Sequence, residues 1–118
     1  MANPNIVNVA TINGKTDVFA LTTTETNLVT ATANTVFKIN SIMVSNIDGS
    51  NAADVTIKYN DGSNDRAIAS TISVPADATL NVVDKNSSFY LEETEIIKGT
   101  ASANSDLECL ISYEIISD

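Results

Sequence analysis

The sequence predicts an all-β protein: a single antiparallel β-sandwich of about eight strands. Three observations carry that prediction. No long stretch repeats apolar residues at three-and-four spacing, so an amphipathic helix has no signal. Short runs rich in Val, Ile and Thr alternate apolar with polar side chains, as a strand with one buried face requires. Asn, Ser and Gly interrupt those runs at about 8–12-residue spacing, the rhythm of a sandwich or small barrel.

Taken in order, the strand candidates are 17–22, 27–32, 36–46, 54–60, 67–74, 79–83, 89–91, 95–100 and 107–116. Asn13-Gly14 precedes the first of them and reads as a turn. The second lies in the Thr-biased stretch TTTETNLVTATANT. In VFKINSIMVSN the apolar set changes phase between Phe37, Ile39 and Ile42, Val44. Either a bulge near Asn40 and Ser41 resets the facing, or both faces of this strand are partly covered. Asp48-Gly49 then marks a turn, and Val55, Ile57 and Tyr59 alternate with Thr56, Lys58 and Asn60 in a half-buried strand. Further turns fall at Asp61-Gly62 and at Pro75. Leu107, Cys109, Ile111, Tyr113 and Ile115 form the longest apolar face, opposite Glu108, Ser112 and Glu114, and make 107–116 the expected central core strand. The chain thus divides into an N-terminal arm, 1–15, and a sandwich, 16–118. An edge strand of the same domain is an equal alternative for the arm residues.

At 118 residues the chain suits one domain with a modest core. A hydrophobic content of 43% fits a folded protein, and fifteen Asp and Glu against six Lys and Arg give it an acidic surface with a net charge of −9. So little positive charge argues against nucleic acid as a partner. The N-terminus lacks a basic start and an apolar core, and no run approaches the roughly 20 apolar residues of a membrane span, so neither a signal nor a membrane segment is expected. One cysteine, Cys109, cannot close an internal disulfide; a reducing cytoplasm is the expected place of maturation.

Candidate chemistry is sparse. NDGSND, 60–65, offers oxygens at Asp61, Ser63 and Asp65, but it lacks the Gly and Glu that a helix-flanked calcium loop needs at its sixth and twelfth positions. It reads as a hairpin turn, so no metal is expected. The absence of His removes the usual general base, nucleophile activator and zinc ligand. Cys109 lies on an apolar face where a thiol's pKa rises, and Glu92, Glu93 and Glu95 read as an exposed acidic turn. Asn86-Ser87-Ser88 matches a glycosylation sequon by chance. No phosphate loop is present, since the four glycines are scattered singly. Neither an enzyme nor a cofactor is expected, and a structural or binding module is the reading that remains.

The segment ISVPADATLNVVDKNSSFYLEETEIIKGTASANSDLECLISYEI, preceded by TANTVFKINSIMVSNIDGSNAADVTIKY, resembles small virion structural proteins of tailed bacteriophages. In that pattern an apolar-Pro-Ala turn leads to a short strand, a YLEE-like acidic turn, a strand ending in small polar residues and an ISYEI-like final strand. The resemblance covers 32–116 and implies a jelly-roll-like β-sandwich, localised to the virion after assembly in the host cytoplasm. It further implies a capsid decoration (cement) protein, often a homotrimer, whose partner is the major capsid protein. In that setting Pro4, Ile6, Val7 and Val9 are the candidate interface residues of the arm. A neck, tail or fibre protein is the alternative within the same class. A carbohydrate-binding module is the alternative outside it, with Tyr90 as its main free aromatic.

Overall fold

The computed structural model describes residues 3–118. Its strands are β1 (Thr11–Ala20), β2 (Thr26–Thr30), β3 (Thr35–Asn46), β4 (Ala53–Asn60), β5 (Asp65–Val74), β6 (Thr79–Val83), β7 (Phe89–Leu91), β8 (Ile96–Ala101) and β9 (Leu107–Ser117). Every ladder is antiparallel. One sheet runs β1-β9-β3-β6, with β7 also on β3; the other runs β2-β8-β4-β5.

Nine strands fill eight sheet positions because of β7, the strand expected at 89–91. It pairs with β3 at Phe37–Ile39, while β6 pairs with the same edge of β3 at Ile42–Ser45. The two are one strand position interrupted by DKNSS, where the Asp84 carboxylate accepts the Asn86 amide at 2.9 Å and the Ser87 amide reaches the Asp84 carbonyl at 3.0 Å. Counted so, the two interleaved four-position sheets have the arrangement of a jelly roll.

The core lies between the sheets. β9 contributes Leu107, Cys109 and Ile111, β3 contributes Ile39, Ile42 and Val44, and they meet Val55 and Ile57 of β4 and Ile97 of β8. A bulge at Asn40 settles the phase change in β3: the register with β9 passes from Ile39↔Tyr113 to Ser41↔Ser112. The extra residue lets Phe37 and Ile39 share the inner face with Ile42 and Val44, opposite the unbroken odd-numbered face of β9. Phe37 stacks on Tyr113 with ring centroids 5.2 Å apart. Gly99 of β8 admits two leucines to the core, because a Cβ there would lie 2.8 Å from Leu28 Cδ1 and 3.2 Å from Leu21 Cδ2. Buried Asn46 closes one end of β3: its amide donates to the Asn51 and Val74 carbonyls, each at 2.9 Å, and its oxygen accepts from the Asp48 amide at 2.9 Å.

One boundary moves. The division between arm and sandwich at 15/16 falls inside β1, because Thr11–Lys15 pair with Ser117–Tyr113 of β9. Asn13-Gly14 is therefore not a turn. β9 extends to Ser117 and offers backbone partners along its whole length, and Gly14 leaves open space where a side chain would sit, so neither residue has to bend the strand.

Ile39→Ala is expected to lower unfolding free energy by about 2–5 kcal/mol, since it opens a cavity in a closely packed layer. Urea denaturation should show a lower midpoint with an unchanged slope. Ile47→Ala, at an exposed loop residue, should stay within about 0.5 kcal/mol.

Candidate functional site

The arm candidates do not share one environment. Pro4 is buried, Val9 is half-buried, Ile6 is exposed and Val7 is 91% exposed. A turn over Asn5–Asn8 presents the exposed pair: the Asn8 amide donates to the Asn5 carbonyl at 3.1 Å, and the Val7 amide to Asn5 Oδ1 at 3.0 Å. Two contacts anchor the segment, Asn3 Nδ2 to Glu92 Oε1 at 2.7 Å and the Ala10 amide to the Ser117 carbonyl at 3.1 Å.

Between those anchors the segment lies over the outer face of the first sheet. Asn3, Pro4 and Ile6 line a groove of about 320 Å³ together with Val36, Tyr90 and Glu92. Val36 and its register partner Ile116 alternate away from the inner face, yet both are buried, and neither belongs to the main core cluster. Pro4 and its neighbours supply the cover that an outward-facing apolar pair requires. Tyr90, 42% exposed, forms one wall, so the aromatic singled out for sugar binding and the arm residues singled out for protein contact meet in one place. Ile12 and Val18 of β1 are exposed apolar residues as well, as are Ile47 and Ile72, and the sequence reading singled out none of these four as a site residue.

The polar candidates resolve into local structure. In 60–65 the Asp61 carboxylate accepts the Ser63 and Asn64 amides at 3.0 and 2.8 Å, Gly62 takes a φ of 97°, and the Asp65 carboxylate accepts Asn60 Nδ2 at 2.7 Å and pairs with Lys98 at 3.2 Å. This is a turn whose carboxylates are already engaged. The Asn64 and Ser63 amides hold Asp61 below its ordinary pKa, and Asn60 and then Lys98 do the same for Asp65. Asp48 is lowered likewise by the Ser50 and Asn51 amides. In the 92–95 turn Glu93 accepts the Asn34 amide, and Glu95 accepts both the Glu92 amide at 2.8 Å and the Tyr59 hydroxyl. Burial pushes the Cys109 thiol up to about 12, which leaves it protonated and inert. Burial, and then the Glu95 carboxylate, raises the Tyr59 phenol; burial and Asp17, whose Oδ2 accepts the Tyr113 hydroxyl at 2.6 Å, raise that of Tyr113.

A second groove, of about 280 Å³, opens on the other sheet and is lined by Thr23, Asp54, Thr56, Thr71, Thr100, Ala101 and Ser102. Thr71 holds a φ of 52° there, at a bulge in the β4–β5 ladder, with its amide donating to Thr56 Oγ1 at 3.0 Å.

Neither a family model nor a curated protein matches the sequence. Solved structures similar in fold include two of assembled proteins. One is a chain of the Bacillus endospore appendages, described as a novel family of disulfide-linked pili, with a TM-score of 0.54 and 12% identity over 92% of this chain and 88% of that one. The other is a chain of the acidic stable capsid structure of Helicobacter pylori bacteriophage KHP30, with a TM-score of 0.53 and 7% identity over 92% of this chain and 89% of that one. At these identities the likeness is one of fold.

Stability should form a plateau between about pH 5 and pH 8, with buried Cys109, raised from 9.0, the first group to lose its contribution on the alkaline side. Asp48, Asp61 and Asp65, lowered from 3.8, contribute fully above that value and lose their contribution as pH falls through and below it. Tyr59 and Tyr113, raised from 10.0, contribute fully below that value and lose theirs as pH climbs past it. Melting temperature measured across pH should fall on both flanks, and Asp61→Asn should make the acid flank shallower.

Proposed function

We propose that this chain is a non-enzymatic structural protein of a tailed-bacteriophage virion, and specifically a capsid decoration protein seated over junctions between major-capsid subunits. The observation that carries the reading is the jelly-roll fold, whose likeness to a chain of a phage capsid extends over 92% of this chain. The likeness to a pilus chain supports the broader class of subunits built to assemble. The absence of His and the inert burial of Cys109 support a role without catalysis.

The mechanism is reinforcement by repetition. A rigid sandwich docks through apolar contacts, each Å² contributing about 25 cal/mol before ordering costs are subtracted, and many modest sites hold the shell collectively. The N-terminal groove supplies such contacts, with Ile6, Val7 and Tyr90 exposed around it. Quantitative mass spectrometry of purified particles tests this: a ratio near one copy per major-capsid subunit, or one trimer per local threefold, is expected. A few to a few dozen copies per particle would instead place the chain at the neck, tail or fibres.

Sugar binding has one observation in its favour, the exposed Tyr90 ring beside Glu92 in the same groove. A glycan array should show no specific hit; a hit abolished by Tyr90→Ala would replace the decoration reading.

A further inference from the structure

The free edge of β1 is unusual among the edges of this sandwich. β2, β5 and β6 each carry a register shift, and β7 is three residues long. β1 runs ten residues in unbroken register with β9 and pairs with no other strand among the described residues. Long, regular, unblocked edges recruit further strands unless something prevents it. Here no proline or bulge intervenes, and the strand exposes Ile12 at 56% and Val18 at 63%.

Which backbone groups face outward follows from one bond. The Leu21 amide donates to the Leu107 carbonyl at 2.9 Å, in register with the β1–β9 ladder. Odd-numbered residues therefore turn their N–H and C=O groups toward β9, and Ile12, Gly14, Thr16, Val18 and Ala20 turn theirs to the open edge. Charge points to the occupant. The chain carries −9 overall, yet before Glu25 it holds only Lys15 and Asp17, which cancel. A second acidic copy meets least repulsion at this edge.

We propose that β1 pairs antiparallel with β1 of a second copy, about a two-fold axis through Thr16. In that register Lys15 of each copy stands opposite Asp17 of the other in the closely spaced, non-hydrogen-bonded positions, and the 3.7 Å pair within one chain is exchanged for pairs between chains. Val18 falls opposite Gly14, whose missing side chain leaves open space, and Ile12 falls opposite Ala20. Moving the axis to Lys15 would set two lysines face to face, which like-charge repulsion disfavours. The result is one continuous sheet across an isologous dimer.

The inference stands on this edge and not on the virion reading: absence from particles would leave it intact, and a monomer would leave the virion reading intact. Sedimentation velocity and native mass spectrometry of the full chain should show a dimer of twice 12.5 kDa at high concentration. Thr16→Pro removes only an outward N–H, so it should weaken dimerisation at least about tenfold while leaving the melting temperature of the monomer nearly unchanged. Thr16→Cys should form an intermolecular disulfide on mild oxidation, because a hydrogen-bonded pair on the axis sets the two Cα atoms about 5.5 Å apart. Val18→Cys should not, since its copies lie several residues apart along the strands, and buried Cys109 does not compete. A chain that stays monomeric at its highest soluble concentration would overturn the proposal. So would a trimer or other oligomer that Thr16→Pro leaves intact, or a dimer in which Thr16→Cys fails to cross-link.

Discussion

The inner face of the first sheet depends on one inserted residue. β9 presents a strict alternation, and β3 can match it only because Asn40 is left over, so that Phe37 and Ile39 face the same way as Ile42 and Val44. Without the bulge, one half of β3 would turn its apolar residues outward while the other half stayed in the core. The close packing of β4 and β8 against this face follows from it, as does the Phe37–Tyr113 stack.

The same bulge bears on the outer surface. Upstream of Asn40 the residues facing away from the core include Val36, and its partner Ile116 continues that apolar spot across β9. An exposed apolar pair on a sheet face invites cover. The N-terminal segment provides it through Pro4, and in doing so is drawn into a groove with Tyr90 and Glu92 while Val7 remains in solvent. A small satellite cluster thus links the start of the chain to the sandwich and shapes the surface most suited to a partner.

Acidic residues dominate the surface, but many are committed locally. Asp48, Asp61, Asp84, Glu93 and Glu95 accept backbone amides and hold turns in place. Lys58–Glu25 and Lys98–Asp65 each reach across an intervening strand of the second sheet, at 3.0 and 3.2 Å, although partly exposed pairs of this kind contribute little stability each. Negative charge here serves turn geometry first, and it leaves the β1 edge as the neutral exception.

Strand identity was legible along nearly the whole chain, since alternation of Val55, Ile57 and Tyr59, or of Leu107 to Ile115, reports directly on which face meets the core. Turn residues such as Asp61-Gly62 likewise declare themselves, because their conformational preferences act over a few bonds. Asn13-Gly14 shows the limit: the same dipeptide lies flat when a long partner strand supplies its hydrogen bonds, and only β9 decides that. The order of strands, the sharing of one position by β6 and β7, and the groove that joins Pro4 to Tyr90 all depend on contacts between residues far apart in the chain. Local preference sets what each segment can become; the burial of one sheet against another selects which segments become neighbours.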